Sequence, residues 1–352
     1  MSPKNIIICC DGTWSSPDQK SKDNKPRPTN VAKLFEAISP YDMGGNPQIV
    51  HYIPGVGTRR WERIKGGGFG YGISDNIREG YKVICSNYEE GDRIFLFGFS
   101  RGAYAARSIA GFIHNLGIIR RVNIYKLNEA YQYYRDKTPE WKPGSEKSDA
   151  YQKAYGWPSK DIHFVGVWDT VGSLGVPYGV VLSWIIDKLF QCGFHDTKLS
   201  SSIQSACHAV AIDERRWPFR PTLWQLGPSH VSHASDFEER WFKGVHSDVG
   251  GGYPETGLSD IALDWMAGKA RQRGLCLDLG RVSEPVVAPD PGQAMHDSQS
   301  WVYRLATLAF VKTLSSIGIP LPGISKDDVA RVTWKGDYVR PITPGASTTA
   351  FP

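Results

Sequence analysis

The stretch Arg93-Ile-Phe-Leu-Phe-Gly-Phe-Ser-Arg-Gly-Ala-Tyr-Ala-Ala-Arg107 constrains the fold more than any other part of the chain. Its first half is a continuous apolar and aromatic run, the pattern of a strand buried on both faces. From Ala103 to Phe112 the apolar residues fall at spacings that suit a packed helix. Between the two halves lies Gly98-Phe-Ser100-Arg-Gly102, a G-x-S-x-G placed where a strand has to turn sharply into a helix, which is the context of a nucleophile elbow. Glycines flank Ser100 because a strained turn leaves no room for neighbouring Cβ atoms. The helix start behind the serine presents backbone N–H groups and the positive end of a dipole to a developing oxyanion. An ordinary Gly/Ser turn is the competing reading.

A chain of 352 residues with 41% hydrophobic and 12% aromatic residues has ample material for a large core. The formal net charge of +5 is mild and not gathered into a block, so nothing points to nucleic acid as a partner. Six cysteines without any C-x-x-C pair suggest reduced, mostly buried thiols rather than a disulfide framework or a zinc knuckle. Met1-Ser-Pro-Lys-Asn5 carries no apolar signal region, and together with the thiols this predicts a cytoplasmic protein. The longest apolar stretch, Val180 to Phe190, is interrupted by Ser183, Asp187 and Lys188 and is too short to span a bilayer.

Strand and helix patterns alternate along the chain. Asn5–Cys10 reads as a buried strand ending in Asp11-Gly12-Thr13. A haloacid-dehalogenase-like phosphatase would begin similarly, with D-x-D-G-T, but Cys9 stands at the nucleophile position and the phosphate acceptor is missing. Two readings of the turn stay open: Gly12 or Thr13 supplies an oxyanion N–H, or Asp11 caps its own backbone. A helix is predicted from Thr29 to Ile38, a strand over Gln48–Ile53 and a helix over Ile73–Tyr88. The Gly66–Gly72 cluster lacks the Lys and Ser/Thr of a phosphate loop. Asp161–Asp169 and Glu239–Val245 read as further strands, and Ser200–Ile212, Ser259–Arg273 and Ser300–Leu314 as helices. The expected organisation is an α/β-hydrolase-like catalytic domain over 1–280, with a mobile loop at 14–28 and cap insertions at 123–158 and 176–200. A C-terminal helical extension over 281–340 packs on the same domain, followed by a polar tail over 341–352. The sheet is expected to be mostly parallel, with helices on both faces and helical insertions.

Ser100, Asp169 and His246 each follow a strand at its C-terminal end, and their order, Ser then Asp then His, is that of α/β-hydrolases. In a doubly wound sheet those loops converge on one edge. Ser100 needs a base to act as a nucleophile, and His246 can take its proton and return it to the leaving group. Asp169 would hold the imidazole tautomer; capping of the Thr170–Gly172 loop is its alternative role. Asp248 reads as a loop anchor or a substrate-facing group.

The motifs Asp11-Gly-Thr-Trp14, Gly98–Arg107, Val165–Ser173, Trp241–Tyr253, His208–Arg216 and Leu223-Trp224 together resemble the domain-of-unknown-function family 2235 of α/β-hydrolase domains. The likeness runs from Asn5 to Tyr253 and weakly into His296–Ser298 and Tyr338. That family includes phospholipase effectors of type VI secretion, whose Ser-Asp-His triad falls on Ser100, Asp169 and His246. The large added domains of such effectors are missing from this chain. The expectation is therefore a serine hydrolase that cleaves a carboxylic ester, lipid and phospholipid acyl esters included, without metal or other cofactor. The oxyanion hole would come from Arg101 with Gly12 or Thr13. Asp11, Asp248, Trp184 and Tyr253 are candidates for the substrate side; Val181, Trp184, Ile185, Leu189 and Phe190 share a helical face that belongs either to an ordinary core helix or to a cap that touches acyl chains or a membrane surface. The other readings are a non-catalytic binding or regulatory protein on the same fold, and an amide or peptide hydrolase.

Overall fold

The computed structural model describes residues 3–12, 20, 23–55, 68–171, 199–225, 237–282, 284–299, 304, 308, 330–333, 337–342 and 347–348. The expected cap stretch around Trp184, most of the expected helix Ser300–Leu314, and Thr13 lie outside these residues.

The strands are β1 (Asn5–Cys10), β2 (Gln48–Ile53), β3 (Arg93–Phe99), β4 (Phe164–Trp168), β5 (Ala206–Ala211), β6 (Phe237–Phe242) and the two-residue β7 (Ser347–Thr348). All pair in parallel in the order β2-β1-β3-β4-β5-β6-β7. The helices are α1 (Asn30–Ala37), α2 (Gly68–Asn87), α3 (Arg101–Leu116), α4 (Leu127–Arg135), α5 (Glu146–Tyr155), α6 (His246–Gly250) and α7 (Gly257–Gln272). Because β2 lies on one side of β1 and β3 on the other, the strand order reverses between β1 and β3. The crevice outside the carboxyl ends of strands at such a reversal is where open α/β sheets bind ligands.

Alternation along the central strands builds a core on each face. Ile6, Ile8 and Cys10 of β1 and Ile94 and Leu96 of β3 join α2, α3, α4 and α5. Ile7, Cys9, Phe95, Phe97 and Phe99 face the other way, towards α1 and α7. Each such large side chain, fully buried, contributes about 1.5–3 kcal/mol. Phe112 of α3 stacks on Tyr134 of α4, with ring centroids 4.9 Å apart, so α4 and α5 extend the first core outward. On the second face a buried ion pair, Lys33 Nζ to Asp260 Oδ1 at 2.6 Å, ties α1 to α7.

Two elements differ from expectation. Ser200–Ile212 reads as helix, but residues 206–211, Ala-Cys-His-Ala-Val-Ala, form β5. Alanine favours helices in isolation; here all six positions are buried between β4 and β6, and a wholly buried parallel strand tolerates small side chains. His246, expected in a loop at a strand end, is instead the first residue of the short α6. Within the polar tail, Ser347 and Thr348 add β7 to the β6 edge, opposite Arg240 and Trp241. Among the described residues no helix is long and apolar enough to cross a membrane.

Candidate active site

Register brings the site together. Phe99 pairs with Trp168 and Cys10 with Gly98, so the residues that follow β1, β3 and β4 emerge side by side. Ser100 N–H donates to Trp168 O at 3.1 Å, and Asp169 N–H to Ala209 O at 2.7 Å. Ser100 has φ 57° and ψ −121°, a left-handed conformation that is uncommon for a non-glycine residue and marks strain held in place by its surroundings. Glycine is required on both sides. A Cβ on Gly98 would sit 2.5 Å from Gly102 O, and one on Gly102 would overlap the Cys10 carbonyl. A serine in an ordinary helix-capping turn accepts from the first-turn N–H groups. Ser100 holds the cap position of α3 without making that bond. Gly12 lies beside it: a Cβ built there would be 3.5 Å from Ser100 Cβ.

His246 Nδ1 lies 2.6 Å from Asp169 Oδ2, and both groups are buried. The imidazole is held between two rings, Phe99 at 4.5 Å between centroids and Phe219 at 5.0 Å edge-on. Phe99 is the residue before Ser100, so this contact draws His246 to the elbow. Asp169, itself at φ 35°, also accepts from Ala211 N–H at 2.9 Å and from both terminal nitrogens of Arg340. Burial alone would push the Asp169 carboxyl up, but the Arg340 charge and the His246 hydrogen bond overcome it and hold the group far below the usual carboxylate range. For His246 burial wins, and its pKa is lowered despite Asp169. The imidazole is therefore neutral and able to accept a proton near neutral pH.

Asp11 caps its own backbone. Its Oδ1 accepts from Gly12 N–H at 2.6 Å, and its Oδ2 from Thr29 Oγ1 at 2.7 Å and Tyr52 Oη at 2.5 Å. Burial raises its pKa to about 6 even against these three donors. Arg101 occupies the first position of α3, where a backbone N–H points out of the helix start. Asp248 forms a separate cluster: its Oδ1 lies 2.6 Å from His296 Nδ1, its Oδ2 accepts from Val245 and His296 N–H, and Tyr253 stacks on His296 at 3.8 Å.

Three contributors were not singled out as site residues from the sequence. Buried Glu214 accepts from His246 N–H at 3.2 Å while held by Arg216 in a bidentate pair. The Glu-Arg-Arg run after β5 was its only sequence signal. Phe219 and Arg340 carried none. Among the described residues no group of three or more His, Cys, Asp or Glu stands in metal-binding geometry, and five cysteines are free.

A parallel sheet with a strained serine elbow and an Asp–His pair on one edge defines an α/β-hydrolase-like protein. Within that class the chain belongs to the family of T6SS phospholipase effectors, Tle1-like, catalytic domain, whose model matches residues 4–269. An uncharacterised protein of Saccharomyces cerevisiae, YEL023C, is 31% identical over 270 residues, covering 67% of this chain and 36% of that protein. The chain thus spans about a third of that relative's length. An uncharacterised protein from Pseudomonas aeruginosa has a crystal structure similar to 92% of this chain and 55% of its own, at 18% identity and TM-score 0.48. The Tle1 effector, in a structure bound to the VgrG spike of the type 6 secretion system, is similar over 93% of this chain and 82% of its own, at 15% identity and TM-score 0.48.

Proposed function

We propose that this protein is a serine hydrolase of carboxylic esters, working through an acyl-enzyme at Ser100. The observation that carries the reading is the strained elbow at Ser100 beside the 2.6 Å His246–Asp169 pair. His246 Nε2 takes the Ser100 proton as Oγ attacks the carbonyl carbon, and Asp169 holds the Nδ1–H tautomer. The tetrahedral oxyanion is held by Arg101 N–H and a second backbone donor from Gly12 or Thr13. Gly12 N–H already donates to Asp11 Oδ1. Collapse passes the proton from His246 to the leaving alcohol, and water activated by the same imidazole then releases the acid and frees Ser100. Membership of a phospholipase effector family supports an acyl ester of a lipid as substrate.

The test is labelling by a fluorophosphonate, which modifies activated serines, followed by a panel of esters from acetyl to long-chain and phospholipid, with matched anilides. Labelling should be lost in Ser100→Ala with the thermal midpoint unchanged, and ester turnover should fall to less than about a thousandth of wild type. Ser100→Ala retaining more than about a tenth of the wild-type rate would overturn the assignment. Anilides turned over faster than esters would move the reading to an amidase.

A further inference from the structure

The acid of the site is held by a residue from far along the chain. Arg340 is buried at 4% exposure, and its fork meets Asp169 at both oxygens, with Nη2 2.9 Å from Oδ2. Nη1 also donates to Ala211 O at 2.8 Å and Nη2 to Phe219 O at 2.6 Å. Arg340 thus spans the Asp169 carboxylate, the end of β5 and the turn that carries Phe219 against His246. Its own segment is anchored: Tyr338 N–H donates to Arg215 O at 2.9 Å, Tyr338 packs edge-on against Trp217, and Gln299 and Arg304 reach Asp337. Arg340 and the segment that carries it lie beyond the residues matched to the family, which end at 269.

We propose that Arg340 is a positioning residue for the Ser100–Asp169–His246 site, so that the site is complete only when the C-terminal segment is docked. A planar fork on both oxygens fixes the carboxylate plane, and with it the direction in which Oδ2 meets the imidazole. The guanidinium also draws charge from Asp169, so the proton stays on His246 and is not shared with the acid. A lysine offers the charge but not the fork. The inference rests on the hydrolase reading for its rate consequences, though not for its electrostatics. His246 faces Asp169, Glu214 and Arg216, while Asp248 on its own helix is turned to His296 and Val245 N–H; Asp169 faces Arg340, His246 and buried His208. Removing Arg340 takes one positive charge from this set and leaves the negative ones.

The experiment compares wild type, Arg340→Met and Arg340→Lys by NMR titration of the labelled His246 imidazole and by the pH profile of kcat/KM on a short ester. In Arg340→Met the His246 titration and the acid limb of kcat/KM should both move up by about one pH unit. The rate at the optimum should fall about 10²-fold through misplaced geometry. Arg340→Lys should keep the wild-type titration yet lose about tenfold in kcat at unchanged KM, as expected for lost orientation alone. A folded Arg340→Met with the wild-type titration and acid limb overturns the proposal. Should Arg340→Met fail to fold, Arg340→Lys decides: wild-type kcat at every pH overturns it, and the kcat loss at unchanged KM supports it. A wild-type protein that hydrolyses no ester removes the hydrolase reading, and the His246 titration still decides the role of Arg340.

Discussion

Asp169 Oδ2 accepts from His246 Nδ1 at 2.6 Å while the other carboxylate oxygen accepts Ala211 N–H at 2.9 Å. Every acceptor direction of this carboxylate faces a donor, with Arg340 on both oxygens. An amide in its place has no orientation in which its NH2 avoids another donor. Asp169→Asn should therefore lower kcat on the order of 10⁴-fold, as expected for a mis-set imidazole tautomer, and lower the thermal midpoint as well. Asp248 holds His296 and the Val245 backbone, so Asp248→Asn should cost much less in rate. Parallel kinetics on the two variants check the ranking, and the reverse order would transfer the acid role to Asp248.

The depressed His246 pKa sets the pH dependence. A general base works only when unprotonated, so kcat/KM should rise with pH through the His246 pKa and then level. Burial places that pKa below the ordinary value of 6.5, and the acid limb should accordingly lie below pH 6.5. A pH profile of kcat/KM on a short, soluble ester measures it. A limb centred above 6.5 would mean that the Asp169 charge outweighs burial.

The elbow makes a stability prediction. A methyl on Gly102 would overlap the backbone carbonyl of Cys10 and crowd that of Asp11, neither of which can rotate away as a side chain can. Gly102→Ala should destabilise by about 3 kcal/mol, the upper end for overpacking, and displace Ser100 from its strained conformation. Urea unfolding and fluorophosphonate labelling should therefore fail together. Full labelling in a destabilised variant would separate the elbow's geometry from this glycine.

What was legible in the sequence follows from range. β1, β3 and β4 were readable because strands buried on both faces in a parallel sheet leave continuous apolar runs, and Thr29 announced α1 through its cap bond to Ala32 N–H. β5 was misread because its six buried residues, mostly small, carry no period; only their place between β4 and β6 makes them a strand. Ser100 and Asp169 were singled out because each directly follows such a strand, and His246 because it follows the half-buried β6 at a distance of a few residues. Arg340 was invisible for the opposite reason. It sits in a short mixed stretch whose local pattern says nothing of a carboxylate 171 positions earlier. Asp11 stood between, since the Asp-Gly turn was evident but Tyr52 and Thr29, which close over it, come from other elements.

Asp11 should make folding stability depend on pH. Its folded pKa, about 6, lies above the ordinary 3.8, so the folded state binds this proton more tightly than the unfolded chain does. Stability from this group is then greatest below about pH 4 and is lost as pH rises through about 6, the reverse of a salt-bridged aspartate. Asp11→Asn removes the titration but keeps an acceptor for Gly12 N–H, and the hydroxyls of Thr29 and Tyr52 can turn to accept from the amide. The thermal midpoint of wild type relative to Asp11→Asn should fall steadily between about pH 4 and about pH 7 and change little beyond. A difference that is flat with pH, or that grows in favour of wild type, would mean that the three donors to the carboxylate outweigh its burial. Asp11 would then be an ionised anchor for the β1 turn even in acid.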